Sequence, residues 1–241
     1  MGLILYRLKT GCQWRELPIK AYLEAPYSWQ SVFHHFNKWS LDGSWERVWR
    51  HLVERFRACL DLSSVQVDGS HTRTRTRGQA IGYQGRKGSN TTNSLYLSDN
   101  QGVVLGMSEP ESGRHHDLFD IEKHLGELFG SVEGMGLSLE GLFLNADAGF
   151  DSEGFRRACQ AQGIEPNVAL NPRNGAVGDR DEYFDDELYK QRTVIERAFS
   201  VLDSFKTLLI RFEVTARNWK NWNIIGFTVH FIKILKKRRK L

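Results

Sequence analysis

Hydrophobic residues recur at helical spacing in two neighbouring stretches near the start of the chain. The first stripe comprises Trp29, Val32, Phe33, Phe36 and Trp39, and the second comprises Trp45, Val48, Trp49, Leu52 and Phe56. Within each set the residues are spaced so that they share one face of an α-helix. The segment from Leu41 to Gly43 is typical of a turn, and Ser44 is the expected N-cap of the second helix. Residues 1–57 are therefore predicted to be helical.

Two short helices joined by a tight turn are compatible with two interpretations. The arrangement resembles a helix-turn-helix reader of DNA, which makes residues 1–57 a candidate domain for binding DNA ends. The alternative is a small helical subdomain that packs through its aromatic stripes, because aromatic residues at helical spacing are usually core residues. The pattern alone leaves both interpretations open.

Beyond residue 58 the pattern changes to short strands that later alternate with helices. Strands are predicted over Ser64–Asp68, Asn93–Asp99, Gly102–Glu109, Gly141–Asp147 and Glu165–Asn171. Helices are predicted over Asp117–Phe129, Ser152–Gln162 and Glu187–Phe205. This order indicates the α/β class, with a mixed sheet flanked by helices over residues 62–241 and a small helical domain before it.

Two of the predicted strands end in an aspartate. Asp68 follows Val65-Gln66-Val67, and Asp147 follows the apolar run that begins at Leu142. Ligands of open α/β sheets bind at the edge where such strands end. Two carboxylates on neighbouring strands would repel each other unless a cation lay between them. Oxygen ligands without cysteine or paired histidine favour Mg²⁺ or Mn²⁺.

The predicted helix Glu187–Phe205 has two dissimilar faces. Tyr189, Arg192, Glu196 and Asp203 fall within a stripe about 60° wide at the helical turn angle of about 100° per residue. The opposite face is apolar and carries Val194, Ala198, Val201, Leu202 and Phe205. A charged stripe is by itself most often a solvated face. Together with the two strand-end aspartates, however, it makes Glu196 a candidate third carboxylate.

The distribution of charge points to a polyanionic partner. The 241 residues carry a formal net charge of only +4. No acidic residue lies between His71 and Ser98, however, and basic residues accumulate there, namely Arg73, Arg75, Arg77, Arg86 and Lys87. A local basic segment on a nearly neutral chain suits phosphate groups. The alternative is an ordinary solvated loop.

Cysteine usage and hydropathy limit the compartments in which the protein is expected. Cys12, Cys59 and Cys159 are odd in number and far apart, which argues against a disulfide framework or a zinc site and for a reducing cytoplasm. The opening apolar run is too short for a signal peptide. No run of about 18 apolar residues occurs, so no membrane span is expected.

Three further features each have two interpretations. The segment Arg114-His115-His116-Asp117 is either a metal site or the entry to a helix near the active site, with Asp117 as its N-cap. Asp151 is either a carboxylate that supports Asp147 or a helix N-cap. The aromatic residues Trp219, Trp222, Phe227 and Phe231 indicate a final helix packed on the core, with base stacking by a tryptophan as the alternative.

The motif Tyr189-x-x-Arg192-x-x-x-Glu196 resembles the signature of bacterial insertion-sequence transposases of the DDE superfamily, in particular the insertion-sequence-five group. Supporting matches are Thr10–Pro18, Val67–Ser70, Ala146–Asp151 and Arg192–Phe212. The family signature continues with a lysine seven residues after the glutamate. Here that position is Asp203, and Lys206 is the nearest substitute. Relatives extend the first helix upstream, so the chain is expected to begin inside that helix.

The resemblance implies a ribonuclease-H-like catalytic core in which Asp68, Asp147 and Glu196 bind two Mg²⁺ or Mn²⁺ ions. It also implies that Tyr189 and Arg192 contact DNA near the scissile phosphate. The expected activity is cleavage at the element's terminal inverted repeats and strand transfer into target DNA, by a homodimer on double-stranded DNA in the bacterial nucleoid. The alternatives are a decayed DNA-binding repressor and a host nuclease of the same fold.

Overall fold

A computed structural model describes residues 1–24, 27–174, 183–238 and 240 of the chain. Its centre is a seven-stranded mixed sheet. The strands are β1 (Val65–Arg73), β2 (Gly82–Gln84), β3 (Ser89–Asp99), β4 (Val104–Met107), β5 (Glu111–Ser112), β6 (Phe143–Ala146) and β7 (Glu165–Val168). Among the predicted strands, the one expected to end at Asp68 differs most from its observed bounds. It continues to Arg73 because it pairs with β3 along its full length.

The sheet joins an antiparallel half to a parallel half. β3 lies between β1 on one side and β2, β5 and β4 on the other, and all of these pairs are antiparallel. β6 lies parallel to β1, and β7 lies parallel to β6. The order β4-β3-β1-β6-β7, with a helix between β4 and β6 and another between β6 and β7, is that of the ribonuclease-H-like fold. The predicted fold class is therefore confirmed.

The hairpin of β3 and β4 forms where the sequence predicts it. Asp99, at the end of β3, accepts hydrogen bonds from the backbone N–H groups of Asp61, Gln101 and Val103 at 3.0, 3.0 and 2.7 Å. Gly102 completes the turn with φ 88°, a left-handed conformation that glycine adopts without strain. This hairpin holds β3 against the full length of β1.

Ten α-helices surround the sheet in the described part of the chain. They are α1 (Gly2–Thr10), α2 (Ile19–Tyr22), α3 (Trp29–Leu41), α4 (Ser44–Arg55), α5 (Ile121–Glu133), α6 (Glu153–Gln160), α7 (Asp186–Tyr189), α8 (Thr193–Asp203), α9 (Lys206–Leu209) and α10 (Ala216–Lys237). The two predicted N-terminal helices correspond to α3 and α4. The N-cap of α4 is Gly43 rather than the predicted Ser44, because the Asp42 carboxylate accepts from the Ser44 N–H at 3.0 Å.

The aromatic stripes of α3 and α4 pack against α10. Phe36 stacks on Trp222 with ring centroids 4.4 Å apart, and Trp49 meets the edges of Phe227 and Phe231. Val48, which the stripe predicted to be buried, is 52% exposed because it lies at the margin of this face. Trp29, which the first stripe also predicted to be buried, is 36% exposed. The other aromatic residues of the two stripes belong to the same hydrophobic cluster as the sheet or pack against it. The boundary between residues 57 and 62 stays a prediction.

A buried ion pair ties the first helix to the end of the chain. Arg7 in α1 lies 3.1 Å from the Glu213 carboxylate, and the Trp222 indole N–H donates to the same carboxylate at 3.0 Å. The guanidinium lies between the rings of Trp14 and Trp222, at 4.4 and 4.9 Å from their centroids. Because both charges are buried, removing either one would leave the other unpaired in the core.

The predicted final helix packs on the core, as α10. Trp219 and Trp222 are almost fully buried, so the alternative in which one of them stacks on a base is wrong for this conformation. No helix in the described ranges has both the length and the apolar composition needed to cross a membrane.

Candidate active site

Asp68 and Asp147 leave neighbouring parallel strands at the same edge of the sheet. In the register of β1 and β6, Val65 lies beside Leu144 and Gln66 lies beside Asn145. Asp147 follows the last residue of β6, whereas Asp68 lies within β1 at the point where β6 no longer flanks it. The expected juxtaposition of the two carboxylates therefore arises from the parallel pairing of these strands.

The Asp68 carboxyl group is held in an environment that opposes its negative charge. The pKa of Asp68 is raised to about 6, mainly by burial and in addition by the nearby charges of Asp147 and Asp117. A hydrogen bond from the Gly69 N–H at 2.8 Å and the charge of Arg192 act in the opposite direction. A cation bound at this point would relieve the repulsion between the carboxylates.

Asp147 also organises the backbone that follows it. Its carboxylate accepts a hydrogen bond from the Gly149 N–H at 2.8 Å and caps a single 3₁₀ turn, Ala148–Phe150. This turn brings the chain directly from the end of β6 to Asp151. The second oxygen of Asp147 is not required for the cap, which leaves it for a ligand.

Asp151 is a buried carboxylate that binds other parts of the chain. Its carboxylate is buried, accepts from the Asn171 N–H at 2.7 Å and pairs with Arg156 at 2.9 Å. The N-cap of α6 is Ser152, whose hydroxyl accepts from the Phe155 N–H. The N-cap interpretation of Asp151 is therefore wrong, and the residue instead links the end of β6 to the chain beyond β7.

Arg192 connects Asp68 to Glu196. One guanidinium nitrogen lies 3.7 Å from an oxygen of Asp68, and the other donates to the Glu196 carboxylate at 2.9 Å. The Tyr189 ring lies beside the guanidinium, at 5.8 Å from its centroid to the guanidinium carbon. The Glu196 side chain is 54% exposed, and Arg192 is its partner at this position. A single guanidinium group therefore separates the carboxylate of Glu196 from that of Asp68.

The predicted helix Glu187–Phe205 is divided. α7 ends at Tyr189, a 3₁₀ turn covers Lys190–Arg192, and α8 begins at Thr193. A 3₁₀ turn advances about 120° per residue instead of about 100°, so three residues turn Tyr189 by about 60° relative to Glu196. The single stripe predicted from Tyr189 to Asp203 is therefore interrupted by this turn, although Tyr189 still lies beside Arg192 and Arg192 contacts Glu196.

A ladder of buried side-chain amides lies beneath the carboxylates. Asn145 donates to Gln66 at 2.9 Å, and Asn167 donates to Asn145 at 2.7 Å. At one end Gln66 donates to the Ser64 hydroxyl, which donates to Gln191 at 2.9 Å. At the other end Asn167 accepts from the Asp185 N–H at 2.8 Å. The ladder thus fastens both sides of the segment that carries Tyr189.

The ladder was not predicted from the sequence. Its members are isolated polar residues inside apolar strands, and all three amides are fully buried. Buried amides require partners, so a polar residue within an apolar strand was the available signal. Which partners they find depends on the register of three strands.

The three candidate carboxylates have the donor atoms that a divalent cation prefers, but they are not arranged around one point. Asp68, Asp147 and Glu196 offer carboxylate oxygens alone, the donor type of Mg²⁺ and Mn²⁺. Among residues 1–24, 27–174, 183–238 and 240, no three His, Cys, Asp or Glu side chains form a group able to hold a metal ion. Arg192 instead neutralises Asp68 and Glu196. Asp68 and Asp147 offer oxygen donors of this type at one edge of the sheet, and Glu196 would join them only by leaving Arg192.

The segment Arg114–Asp117 does not form the alternative metal site, because its side chains turn to different partners. The His115 ring stacks on Phe119 at 3.6 Å, and His116 accepts from the Leu118 N–H at 3.1 Å. Asp117 is not an N-cap either, since α5 begins only at Ile121. Its carboxylate accepts from Asn93 at 2.8 Å and lies near Asp68.

The predicted DNA-binding residues lie at several places around this edge. Arg73 ends β1, Arg75 and Arg77 follow it, Arg86 and Lys87 form a turn before β3, and Lys206 begins α9. All are exposed except Lys87, which is half-buried and donates to the His71 carbonyl at 2.8 Å. The positive charges of Lys87 and Lys206 oppose the burial that raises the pKa of Asp203. Asp203 therefore faces these two lysines.

Arg211 is a buried residue that shapes the basic segment. Its backbone N–H donates to the Arg73 carbonyl, and the Arg75 N–H donates back to the Arg211 carbonyl. Its guanidinium donates to the carbonyl groups of Gln79 and Glu213 at 2.8 and 2.9 Å. The exposed arginines Arg73, Arg75 and Arg77 are therefore carried on an ordered segment rather than on a free loop.

Two family models match the chain in consecutive parts. Residues 1–49 match the model described as "Putative transposase of IS4/5 family", and residues 67–231 match the model described as "DDE superfamily endonuclease". The second match includes all three candidate carboxylates.

Relatives include two proteins of an insertion element from Burkholderia cepacia. The "Insertion element IS402 uncharacterized 16.2 kDa protein" is 33% identical over 81 residues, which are 33% of this chain and 53% of that protein. The "Putative transposase for insertion sequence element IS402" is 41% identical over 68 residues, which are 28% of each protein. The chain thus matches about half of the first relative and about a quarter of the second.

Solved structures with a distant likeness are two complexes of Mos1 transposase. The paired-end complex with the left transposon end has a TM-score of 0.33 at 11% identity, covering 93% of this chain and 74% of that one. The mariner paired-end complex with Mn has a TM-score of 0.30 at 10% identity, covering 86% and 77%. The family assignment rests on the model that matches residues 67–231, more than half of the sequence. The chain is therefore a member of the DDE superfamily endonuclease family, and its N-terminal part is similar to the IS4/5 transposase family.

Proposed function

We propose that this protein is a transposase that cuts DNA strands at the ends of its element and joins them to target DNA. The observation that carries the proposal is the position of Asp68 beside Asp147 at one sheet edge, with Arg192 linking Asp68 to Glu196. A buried carboxylate with a raised pKa beside a second acid is the arrangement expected for a functional site.

Asp68, Asp147 and Glu196 are proposed to hold the divalent cations, Mg²⁺ or Mn²⁺. Bound as a pair, such ions would activate a water or a DNA 3′-hydroxyl as nucleophile and stabilise the departing 3′-oxygen. Asp68 must be ionised to take part, so a carboxyl group with a pKa of about 6 is competent at neutral pH and above. No covalent bond between protein and DNA is needed, so Tyr189 is not a nucleophile.

Arg192 is proposed to exchange one partner for another when DNA binds. Its guanidinium now contacts two carboxylates, and it offers a planar set of donors that fits a phosphate equally well. A phosphate that takes the guanidinium would release Glu196 towards Asp68. Tyr189, beside the same guanidinium, would then lie next to the bound strand.

The basic residues around the site are proposed to contact the DNA backbone. Arg73, Arg75, Arg77 and Arg86 are exposed on the ordered segment that Arg211 supports, and Lys87 and Lys206 lie closer to Asp203.

The helices of residues 1–57 are proposed to contact the element ends. Their aromatic face is used in packing, whereas the exposed side of α4 carries Arg47, His51 and Arg55 at intervals of one turn. Joining two ends requires two active sites, hence a homodimer.

A plasmid that carries the element with its flanking DNA tests the proposal. Wild-type protein with Mg²⁺ is expected to nick at the element ends and to join the freed 3′ ends to a labelled target duplex. Asp68→Asn, Asp147→Asn and Glu196→Gln should bind the same DNA without giving either product. Glu187→Gln, an equal charge change at an exposed position of α7, should cut and join normally.

Each other outcome has a defined meaning. Cutting without preference for element ends and without joining would identify a nuclease of this fold. End binding by a wild-type protein that never cuts would identify a DNA-binding repressor. Product formation by Asp68→Asn at the wild-type rate would overturn the proposed site.

A further inference from the structure

A fourth carboxylate, Asp117, lies against the backbone that follows Asp68. A methyl group added to Gly69 would come within 2.8 Å of both oxygens of the Asp117 carboxylate. The glycine therefore leaves just enough room for this carboxylate to approach β1. Its neighbour Asp68 depends on the same peptide, because the Gly69 N–H donates to the Asp68 carboxylate at 2.8 Å.

Asp117 is held in this position by residues of two strands. Asn93 on β3 is almost fully buried, and its amide N–H₂ group donates to Asp117 at 2.8 Å and to the His115 carbonyl at 3.4 Å. His71 on β1 lies opposite Asn93 in the sheet, and its ring nitrogen is 3.7 Å from the Asp117 carboxylate. These contacts keep the carboxylate against Gly69.

The Asp117 carboxylate lies close to the two other carboxylates of the site. Its side chain is 32% exposed, so it is open to ions from solvent, yet it adds a third negative charge to the pair of Asp68 and Asp147. Like charges held together in this way favour a cation among them. An ordinary helix-entry aspartate would cap α5, which Asp117 does not.

We propose that Asp117 is a positioning residue that fixes the Asp68–Gly69 backbone and strengthens the binding of divalent cations to Asp68 and Asp147. The inference deepens the proposed function and rests on it, because it concerns the same carboxylates. Asn93 and His71 anchor Asp117, and Gly69 provides the space that it occupies.

Binding of Mn²⁺ to the DNA-free protein, measured by electron paramagnetic resonance, tests the proposal without cleavage. Asp117→Asn keeps the size of the side chain and removes its charge. It is expected to weaken Mn²⁺ binding on the order of 10-fold, as loss of an outer-shell partner does at other metal sites. Cleavage by this variant should need correspondingly more Mn²⁺ and should recover at saturating concentrations.

Asp120→Asn is the matched control. Asp120 belongs to the same segment and has φ 46°, a conformation that asparagine also adopts readily. The control makes the same charge change away from Gly69 and should leave Mn²⁺ binding unchanged. Thermal unfolding of both variants verifies that they are folded.

Gly69→Ala tests the geometry independently of the charge. The added methyl group should displace the Asp117 carboxylate and weaken Mn²⁺ binding as strongly as Asp117→Asn does. Once Asp117 is neutral, the methyl group should have less further effect, so the double variant should fall well short of the product of the two single effects.

The outcomes separate the two proposals. If wild-type protein neither binds Mn²⁺ nor cuts DNA, the proposed function fails. If wild-type protein does both while Asp117→Asn binds Mn²⁺ as Asp120→Asn does, the function stands and the role of Asp117 is overturned. Strictly multiplicative effects in the double variant would also overturn it.

Discussion

Asp68 is subject to opposite requirements from folding and from chemistry. In the unfolded chain an aspartate has a pKa of about 3.9, whereas burial raises the pKa of Asp68 to about 6 in the folded protein. The folded state therefore holds its proton more tightly. The contribution of the Asp68 carboxyl group to the free energy of unfolding is favourable only at low pH, and it is progressively lost as the pH rises from about 4 through about 6.

Replacing Asp68 with asparagine should consequently stabilise the protein at neutral pH. We expect the free energy of unfolding at pH 7.5 to rise by about 1–3 kcal/mol, because each unit of pKa shift corresponds to about 1.4 kcal/mol. At pH 4, where the carboxyl group is protonated, the gain should vanish. Urea denaturation of Asp68→Asn and of the control Glu187→Gln at both pH values measures this. A variant less stable than wild type at pH 7.5 would contradict the expectation.

At the level of single residues the sequence was informative where a polar residue interrupts an apolar run. Asp68 and Asp147 stand out because each follows a stretch of strand-forming residues. Asp117 was misinterpreted because an aspartate just before an amphipathic segment is usually an N-cap. Its actual partners, Asn93 and His71, lie on two strands of the sheet and are brought to it only by the pairing of β1 and β3.

At the level of elements, the amide ladder determines where the segment from Asp185 to Gln191 lies relative to the strands. It crosses β1, β6 and β7 through Gln66, Asn145 and Asn167. A ladder with every hydrogen bond made is rigid, and a ladder with one member missing leaves buried groups without partners. The position of Arg192 and Glu196 should therefore depend on the middle residue, Asn145.

Asn145→Leu keeps the branched shape and the number of side-chain heavy atoms but removes the hydrogen-bonding groups of that middle residue. The Gln66 carbonyl loses its donor, and we expect a loss of about 1–3 kcal/mol in the free energy of unfolding. Faster hydrogen exchange should appear at residues 183–192 with a lower cleavage rate. Ser98→Ala is the control, because Ser98 lies opposite Gln66 and its buried hydroxyl has no hydrogen-bond partner among the residues that the structure describes. Unchanged exchange at residues 183–192 in Asn145→Leu would argue against the ladder as a positioning device.

The division of the predicted helix Glu187–Phe205 has a tertiary cause. Hydrophobic periodicity describes the back of α8 well, since Val194, Ala198 and Leu202 are buried. Hydrophobic periodicity does not predict the 3₁₀ turn Lys190–Arg192, where Gln191 accepts a hydrogen bond from Ser64. That contact with a residue 127 positions earlier fixes the turn and thereby the direction of Tyr189.

At the level of the whole molecule, charge is distributed so that the acidic site lies beside a basic surface. The formal net charge of +4 conceals this separation. Each lysine or arginine that contacts a phosphate releases counterions, so the logarithm of the DNA-binding constant should fall with the logarithm of salt concentration. The slope of this plot is proportional to the number of contacts between basic side chains and DNA phosphates.

Changing Arg73, Arg75 and Arg77 together to glutamine should reduce this slope by about 2–3, at about 0.9 per phosphate contact. Binding should weaken for all sequences alike, because contacts with phosphate do not read bases. Fluorescence anisotropy with a labelled duplex at several salt concentrations measures the slope. A control with the same charge change at exposed positions outside both proposed DNA-contacting regions, Lys123, Arg157 and Lys236 to glutamine, should have little effect. Equal slopes for both triple variants would place the DNA elsewhere.

The sequence by itself determined the local features of this protein. Spacing of apolar residues predicted α3, α4, α8 and the paired strands, and the aspartates after apolar runs marked the edge of the sheet. Helical and strand periodicities are properties of short segments, so they can be recognised from the amino-acid sequence alone. The resemblance of the Tyr189–Glu196 motif carried the remainder of the functional assignment.

Only the tertiary structure decided which distant residues meet. The register of β1 with β3 and β6 brings Asp117 to Gly69 and Asn145 to Gln66, and the packing of α10 joins the N-terminal helices to the core. These contacts connect positions far apart in the chain, and their energies depend on burial and on the pairing of whole strands. No periodicity within a single segment encodes them, because a polar residue inside a strand looks the same whatever partner the fold provides.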